Sequence, residues 1–404
     1  NETNGDIVSI NYIGANGVTV DITNAGEQDI NGDTVVDLQI KNIENLEGSI
    51  GADKLTGNAS NNILKGLDGN DSFISSGGND TIYGGNESTD TSTSDVVDYS
   101  NGLRIDVDLT KASQQVSKVN GKDTLYGIDK IIGSTQNDTF KGDASNNTFE
   151  AGAGNDILEG GAGDDYLDGG EDDDTLSGGT GDDQLIGGLG NDTADYSKRN
   201  EAIYADLSNA TPQIIVDTYD GAADGDTTHE FVSTAGITKD EVDTINGIEN
   251  VTGGSNDDTF IGNSVANILK GGVGSDTFLI KDTLNVAGDY IDGGSQLNGA
   301  RGNDTVDYSA LGTTESVNIS LNDTAVANVT LSGTANHHKI IDIENIIGTQ
   351  GTDTIQGDSS NNTLDGFSGT HDTLSYSNSS NGVYVNLGSQ VTTDISGDNV
   401  ADGI

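Results

Sequence analysis

The sequence contains no cysteine, no methionine and no tryptophan, and it has a single proline among 404 residues. The missing cysteine excludes disulfides, thiolate zinc sites and cysteine nucleophiles. Only 16 residues are Lys or Arg, against 67 that are Asp or Glu, and the formal net charge is −51. So few basic residues exclude nucleic acid as a partner, because contacts to phosphates need a basic face. No run of about 18 apolar residues is present, so we expect no membrane span.

Apolar residues are scarce as well. They make up 32% of the chain, below the roughly 45–50% of ordinary globular proteins. Such a chain stays disordered unless its charge is neutralised. The acids are 53 Asp and only 14 Glu, and Asp favours turns and is a hard-oxygen ligand, whereas an acidic helix would favour Glu. The composition therefore predicts a turn-rich chain that binds hard cations.

Two short phrases recur and divide the chain into blocks. The first is Ile-Glu-Asn or a close variant, at residues 43–46, 128–131, 248–251 and 343–346. The second is Asp-Tyr-Ser, at 98–100, 195–197 and 307–309, with Ser-Tyr-Ser at 375–377. An alternating stretch that predicts β-strands follows the second phrase. The chain starts and stops within a block, so we expect it to be a segment of a longer array. We interpret Asp-Tyr-Ser as a structural cap and not as a catalytic pair.

Between the two phrases the sequence has a period of nine residues. The clearest array has units that begin at 133, 142, 151, 160, 169, 178 and 187, and Gly160-Gly161-Ala162-Gly163-Asp164-Asp165-Tyr166-Leu167-Asp168 is a typical unit. Position 6 of each unit is acidic or Asn, namely Asp138, Asn147, Asp156, Asp165, Asp174, Asp183 and Asp192. Position 8 is apolar, namely Phe140, Phe149, Leu158, Leu167, Leu176, Leu185 and Ala194.

Three further arrays keep this pattern. Their position-6 residues are Asp53, Asn62, Asp71 and Asp80 in the first array, Asp258, Asn267 and Asp276 in the third, and Asp353, Asn362 and Asp372 in the fourth. A one-residue insertion shifts Asp372. Two 15-residue variant units, 84–98 and 293–307, supply Asp95 and Asp304.

The period has a physical meaning. Six Gly and Asx residues form a tight turn, and the remaining three form a short strand with one inward apolar side chain at position 8. A single unit cannot bury that side chain, but stacked units can. Stacking also aligns the Asp carboxylates in a column that repels itself unless a cation lies in it. Carboxylate and glycine carbonyl oxygens together are the ligands of a Ca²⁺ site.

These repeats resemble the RTX family of haemolysin-type calcium-binding repeats, whose consensus is G-G-x-G-x-D-x-U-x. The resemblance implies a parallel β-roll with two nonapeptides per turn and Ca²⁺ between loops two units apart. Asp156 would then pair with Asp174, Asp165 with Asp183, and Asp174 with Asp192. The resemblance makes the following residues candidate calcium ligands: Asp53, Asp71, Asp80, Asp95, Asp138, Asp156, Asp165, Asp174, Asp183, Asp192, Asp258, Asp276, Asp304, Asp353 and Asp372.

We therefore predict an all-β fold, a parallel β-roll or β-helix solenoid of calcium-binding nonapeptides interrupted by short β segments. The predicted divisions are a partial block over 1–47, array 1 over 48–100, a β linker over 101–132, array 2 over 133–197, a β linker with an irregular insertion over 198–252, array 3 over 253–309, a β linker over 310–347, array 4 over 348–377, and a partial block over 378–404. The longest irregular insertion is expected at 211–243. His337-His338 is interpreted as a solvated loop.

The function that these features favour is structural and not enzymatic. We expect a calcium-binding repeat region of a large secreted surface protein, an adhesin, a surface layer or a matrix fibre. The RTX resemblance implies a Gram-negative bacterium and type I secretion. The alternative is the non-catalytic region of a secreted enzyme or toxin. The expected partners are several Ca²⁺ ions, with self-association or a cell-surface polysaccharide as further partners.

Two structural alternatives remain open at this point. One is a disordered acidic linker, although a linker has no use for an apolar residue in register at position 8. The other is a calcium-free ladder of Asn and Asp residues. The units centred on Asn62, Asn147, Asn267 and Asn362 are interpreted as rungs held by amide hydrogen bonds or as weak sites. Glu44, Glu249 and Glu344 are expected to satisfy turns or calcium at the array entrances.

Overall fold

The structure is a computed structural model that describes residues 7–9, 17–24, 26–29, 31, 38–85, 94–111, 114–118, 121–208, 213–217, 241–281, 288–294, 302–312, 314–322, 325–331, 337–368 and 371–377. All regular elements in these ranges are β-strands. None of the described residues forms a helix that could cross a membrane. The chain divides into two compact units, Asn1–Asp192 and Thr193–Ile404.

The first unit contains short strands, mostly of three to six residues. They are β1 (Ile7–Ser9), β2 (Thr19–Asp21), β3 (Glu27–Gln28), β4 (Leu38–Gln39), β5 (Asn45–Glu47), β6 (Lys54–Thr56), β7 (Ile63–Leu67), β8 (Ser72–Ile74), β9 (Thr81–Gly85), β10 (Val96–Asp98), β11 (Ile105–Asp108), β12 (Gln114–Lys118), β13 (Gly121–Tyr126), β14 (Lys130–Ile132), β15 (Thr139–Lys141), β16 (Thr148–Ala153), β17 (Ile157–Ala162), β18 (Tyr166–Glu171), β19 (Thr175–Thr180) and β20 (Gln184–Leu189).

The second unit is built from strands of similar length. They are β21 (Thr193–Asp195), β22 (Ala202–Asp206), β23 (Gln213–Asp217), β24 (Glu241–Asn246), β25 (Asn250–Thr252), β26 (Thr259–Ile261), β27 (Ile268–Lys270), β28 (Thr277–Leu279), β29 (Tyr290–Asp292), β30 (Thr305–Asp307), β31 (Val317–Ser320), β32 (Ala327–Leu331), β33 (His337–Ile341), β34 (Asn345–Ile347), β35 (Thr354–Gln356), β36 (Thr363–Asp365) and β37 (Thr373–Leu374).

Successive nonapeptides alternate between two parallel sheets. In the first unit, β15, β17 and β19 pair in one sheet, and β16, β18 and β20 pair in the other. Where the nonapeptides are uninterrupted, each strand residue therefore lies beside the residue 18 positions away, as Leu158 lies beside Leu176 and Leu167 beside Leu185. The second unit repeats this arrangement, with β26, β28 and β30 in one sheet and β25, β27 and β29 in the other. The prediction of an all-β parallel roll is confirmed.

The core is a column of single side chains between the two sheets. The position-8 residues Leu158, Leu167, Leu176 and Leu185 are 0% exposed, as expected from the period. Phe140 and Phe149 are also buried, and their ring centroids are 5.2 Å apart. Because only one large apolar residue of each unit points inward, the hydrophobic contribution per residue is small, and the loops have to supply the rest of the stability.

The predicted β linkers form three-stranded antiparallel meanders. In the first unit β11, β12 and β13 are joined antiparallel, and β11 and β13 pair parallel with β15 and β9. In the second unit β31, β32 and β33 are joined in the same way between β35 and β29. Two reversals restore the strand direction, so that a meander adds to a parallel sheet without breaking its polarity.

One local expectation was wrong, and another differs from the structure at its ends. The predicted irregular insertion at 211–243 contains β23, which pairs antiparallel with β22 and β24, while residues 218–240 lie outside the described residues. The pair His337-His338 begins β33 and is no solvated loop, and His338 is 1% exposed. His338 is buried because it stands two residues before Ile340 in the same strand and therefore points to the same face. Ile340 pairs with Ile291 in the core. The predicted partial block 378–404 lies outside the described residues.

The loop at residues 169–174 has backbone strain that its neighbours avoid. Position 4 is glycine in the adjacent loops, with φ of +100° at Gly163 and +124° at Gly181. Asp172 occupies the same position with φ of +76°. This left-handed conformation brings the Cβ of an L-residue close to the backbone, which costs roughly 1–2 kcal/mol, less for Asp than for most side chains.

We predict that Asp172→Gly raises the free energy of unfolding by up to about 1 kcal/mol, because glycine removes the Cβ penalty. Urea denaturation at a fixed, saturating calcium concentration measures the change. The matched opposite is Gly181→Asp, which should lower stability, since a Cβ there would lie 2.3 Å from the carbonyl oxygen of Gly163. An unchanged or lower midpoint for Asp172→Gly would contradict the prediction.

Candidate metal centre

The position-6 Asp residues form hydrogen-bonded ladders along the loops. The backbone amide of each position-6 residue donates to Oδ1 of the position-6 residue two units later. In array 2 these bonds are 2.6 Å from Asp138 to Asp156, 2.8 Å from Asp156 to Asp174 and 2.8 Å from Asp174 to Asp192. The pair Asp165 and Asp183 is joined by the same bond at 2.8 Å. The three pairs implied by the RTX resemblance are thus brought together in the structure.

The ladder continues where the nine-residue period fails. Asp71 donates to Asp95 across the first 15-residue unit at 2.7 Å, and Asp276 donates to Asp304 across the second at 2.8 Å. Asp353 donates to Asp372 at 3.0 Å despite the inserted residue. The insertions therefore lengthen loops without removing a carboxylate from its column.

Burial separates one candidate from the others. Those with 3% exposure or less are Asp53, Asp71, Asp80, Asp95, Asp138, Asp156, Asp165, Asp174, Asp183, Asp192, Asp258, Asp276, Asp304 and Asp353. Asp372 is exposed, although its Oδ1 accepts the amide of Asp353.

Some of the buried carboxylates lack a second partner. Oδ2 of Asp156, Asp174 and Asp276 is buried with no hydrogen-bond partner. A buried charged oxygen without compensation costs several kcal/mol, so such oxygens are normally neutralised by a cation or by a proton. These three oxygens fit a cation as a missing partner.

The glycine loops place carbonyl oxygens close to the carboxylates. A Cβ atom on Gly271 would lie 2.0 Å from Asp276 Oδ2 and 2.7 Å from the carbonyl oxygen of Gly293. A Cβ on Gly169 would lie 2.2 Å from Asp174 Oδ2. At these two positions glycine permits the close approach, and it leaves carboxylate and carbonyl oxygens facing the same space.

Side chains alone do not complete a metal site. Among the described residues, no group of three or more His, Cys, Asp or Glu side chains is placed to hold a metal ion. Ca²⁺ takes six to eight oxygen ligands, many of which are carbonyls in flexible loops. The donor set here, one or two carboxylates with glycine carbonyls, suits Ca²⁺ and not a histidine- or thiolate-binding metal.

Burial raises the pKa of five of the ladder carboxyls well above the ordinary value for Asp. Desolvation is the main cause, and nearby carboxylates add to it. The pKa is raised to about 8 for Asp156 and Asp304, and to about 7 for Asp174, Asp258 and Asp276. Protons and cations therefore compete for the same oxygens.

The units centred on Asn differ from the Asp units. Asn62 Nδ2 donates to the carbonyl oxygen of Glu44 at 2.6 Å, and Asn267 Nδ2 donates to that of Glu249 at 2.7 Å. The Asn-Asp ladder bond is kept, since the amide of Asn62 donates to Asp80 at 2.9 Å. These rungs are held by amide hydrogen bonds, as the first of the two interpretations expected.

The Ile-Glu-Asn phrase extends the ladders at the array entrances. The amide of Asp304 donates to Glu344 Oε2 at 3.0 Å, and the amide of Asp95 donates to Asp129 Oδ2 at 2.7 Å. Glu344 thus satisfies a backbone turn, which was one of its two expected roles.

Three residues of the meanders were predicted neither as buried nor as site residues. Asp123, Asp243 and His338 are at most 1% exposed, and each stands two residues before the inward apolar residue of its closing strand, as a position-6 residue does. The tyrosines of the Asp-Tyr-Ser phrase lie against them. Tyr99 donates to Asp123 Oδ2 at 2.9 Å, and Tyr196 donates to Asp243 Oδ2. The two acids could have been predicted from their spacing, because each stands two residues before an inward apolar residue even though no glycine loop precedes it.

One of the predicted ligands already has a cationic partner. Asp80 Oδ2 lies 3.3 Å from Lys118 Nζ, which reaches it from β12. The sequence could not show this contact, because the two residues come together only when the meander returns to β9.

Comparison with protein families agrees with the ladders. The family described as RTX calcium-binding nonapeptide repeat (4 copies) matches residues 43–73, 56–88, 123–158, 159–194, 243–279 and 343–370. These segments belong to the RTX calcium-binding repeat family. Two of the RTX matches begin at Asp123 and Asp243, the closing acids of two meanders. No curated protein matches the chain.

The raised pKa values predict that acid can replace calcium in the RTX loops. A carboxyl whose pKa is higher in the folded chain than in the unfolded chain binds more protons when folded. The stability that these carboxyls contribute is therefore fully present below about pH 4, the pKa of an unfolded Asp, and is lost as the pH rises through the folded-state values of about 7 to 8. In calcium-free buffer, far-UV circular dichroism should show more β-structure at pH 5 than at pH 8.

The control separates the ladder from general acidity. Asp156→Asn with Asp174→Asn should weaken the pH dependence, because both raised groups are removed. Asp164→Asn, on the exposed fifth position of its unit, should leave it unchanged. A calcium-free chain that gains structure with rising pH would refute the expected direction.

Proposed function

We propose that this chain is a structural repeat region of a large secreted bacterial surface protein, such as an adhesin, a surface layer or an extracellular fibre subunit, and that Ca²⁺ stiffens it after export. The single observation that carries the proposal is the buried ladder of position-6 carboxylates, in which Oδ2 of Asp156, Asp174 and Asp276 has no hydrogen-bond partner. We take Ca²⁺ as the bound cation because the repeats match a calcium-binding family.

The electrostatics of the loops support several bound ions. Neighbouring carboxylates of a ladder belong to rungs about 4.8 Å apart, and like charges at such distances in a buried setting repel strongly. One ion between each pair of loops relieves the repulsion and fills the ligand sites of two rungs. We propose Asp156 with Asp174, Asp165 with Asp183, Asp174 with Asp192, and Asp258 with Asp276 as the residues that hold these ions.

The balance of energies supports a folding switch. The core has one large inward side chain per unit, and the net charge of −51 opposes compaction. A site with calcium at a hundredfold excess over its Kd stabilises the folded state by about 2.7 kcal/mol if the unfolded chain does not bind. Two or more such sites reach the roughly 5–15 kcal/mol that separates folded from unfolded domains.

The switch fits export through a narrow secretion channel. Extracellular calcium modules often have Kd values of about 10⁻⁴–10⁻³ M, far above cytosolic calcium. The chain would then remain unfolded inside a Gram-negative cell, pass through type I secretion, and fold outside. A stiff array of calcium-binding repeats suits a spacer or a surface layer.

Self-association and cell-surface polysaccharide stay predictions as further partners. The feature that favours a polysaccharide is a stacked pair on the outer face of the first unit. The rings of Tyr83 and Tyr126 lie 4.8 Å apart between centroids at an interplanar angle of 10°, and both side chains are more than a third exposed. The facing sides of the two rings cover each other, so a sugar ring would stack on an outer face of the pair.

We predict that the chain lacks most of its β-structure in chelator at pH 7.5 and gains it in millimolar Ca²⁺. The measurement is far-UV circular dichroism across a calcium titration, with Mg²⁺ at equal concentration as the control. Mg²⁺ should have little effect, because it demands a regular octahedral shell and keeps its water. A full β spectrum in chelator that does not change on addition of calcium would contradict calcium-dependent folding and favour the calcium-free ladder.

We also predict that position 6 and not position 5 of the units binds the ions. Asp165→Ala and Asp183→Ala should each weaken apparent calcium affinity by about tenfold or more, which equals about 1.4 kcal/mol. The matched controls are Asp164→Ala and Asp182→Ala, which remove the same charge from exposed neighbours. Isothermal titration calorimetry compares the four variants, and equal losses in all of them would mean that general acidity binds the ion.

A further inference from the structure

The turn that closes array 1 has a cation of its own. Lys118 comes from the middle strand of the first meander, and its side chain is only 9% exposed. Its Nζ lies 2.7 Å from Asp123 Oδ1 and 3.3 Å from Asp80 Oδ2. It also donates to Ser75 Oγ at 3.0 Å and to the carbonyl oxygen of Ser76 at 2.7 Å.

This set of partners has the composition of a calcium site. It consists of two carboxylates, one hydroxyl and one backbone carbonyl, all of them hard oxygens. Asp80 and Asp123 are joined as ladder neighbours, since the amide of Asp80 donates to Asp123 Oδ1 at 2.9 Å. The ammonium therefore lies between two rungs. At the corresponding place in array 2, the Asp156 and Asp174 rungs have buried Oδ2 atoms without a hydrogen-bond partner.

The second oxygen of Asp123 is satisfied too. Asp123 Oδ2 accepts hydrogen bonds from Ser75 Oγ at 2.7 Å and from the hydroxyl of Tyr99 at 2.9 Å. The ring of Tyr99 faces Lys118, with Nζ 5.9 Å from its centroid, a distance at which a cation and an aromatic face attract each other. The carboxylates of this turn are thus compensated by the protein itself.

The meander of β31, β32 and β33 has a different arrangement at the same place. There the equivalent of Asp123 is His338, which stands opposite Asp289 at 3.8 Å between Nδ1 and Oδ2. That turn contains one carboxylate fewer, so it has less charge to compensate.

We propose that Lys118 takes the place of calcium at the turn between Asp80 and Asp123, so that this turn closes without a metal ion. A Ca²⁺ ion entering there would have to displace a buried ammonium from four oxygens. The proposal rests on the proposed function, because it concerns which turns of a calcium-binding array leave the ion out. It removes Asp80 from the calcium ligands that the RTX resemblance implied.

The proposal has a consequence for how folding depends on calcium along the array. A turn with its own cation needs no calcium to neutralise it, whereas the Asp156–Asp192 ladder does. The end of array 1 and the meander after it would then be the part of the first unit that depends least on the calcium concentration.

The test counts the calcium ions bound by each chain at saturating calcium, by native mass spectrometry with equilibrium dialysis of ⁴⁵Ca²⁺ as a second measurement. Asp80→Asn should bind as many ions as the wild type, whereas Asp165→Asn, the same change at the same position of its unit, should bind at least one fewer. Lys118→Met should bind one more than the wild type. Lys65→Met, which removes a half-exposed lysine paired with Glu47, should leave the count unchanged.

The outcomes separate this inference from the proposed function. A loss for Asp80→Asn equal to that for Asp165→Asn, or no gain for a folded Lys118→Met, would overturn the role of Lys118 while leaving calcium binding intact. A wild-type chain that binds no calcium would overturn both. If Lys118→Met does not fold in calcium, the comparison of Asp80→Asn with Asp165→Asn decides alone, since asparagine can still accept the ladder hydrogen bond.

Discussion

The hydrogen bond from a backbone amide to the buried carboxylate two units later is the contact on which the rest of the structure depends. It joins each rung to the next, as at 2.8 Å between Asp156 and Asp174, and it accompanies a register of 18 residues wherever the nonapeptides are uninterrupted. The same contact removes a carboxylate from water and sets it near others of its kind. The hydrogen bonds that order the loops therefore also bury negative charge, which has to be compensated.

The described residues meet that need in several ways. Asn62 and Asn267 replace the charge by an amide that donates to a backbone carbonyl. Lys118 brings a positive charge to Asp80 and Asp123. The remaining Asp units have glycine carbonyls beside the carboxylates, which is the setting for a metal ion. Under the proposed function, the proportion of these solutions along the array would set how strongly its folding responds to calcium and to pH.

The meanders allow such an array to vary in length without losing its register. Each adds three strands, returns to the parallel direction and supplies a polar residue to the loop column, as β13 supplies Asp123 to Asp80. The buried tyrosine of the Asp-Tyr-Ser phrase holds the first two of these residues in place. The acid and hydroxyl of this repeated phrase could suggest catalysis. In the structure, its tyrosine instead links the end of a strand to a meander by a hydrogen bond.

The sequence by itself determined the fold class, the period, the inward position 8 and the acids of the loops, because a strict nine-residue repeat leaves only one way for each unit to bury its single apolar side chain. It also located Asp95 and Asp304 beyond the long insertions. Only the tertiary structure decided which charges meet across the meanders. Lys118 and Asp80 are 38 residues apart and outside the repeat period, so their contact depends on how β12 and β13 turn back onto β9. Burial of His338 was decided in the same way, because the pairing of β33 with β29 and not its local sequence places it inside.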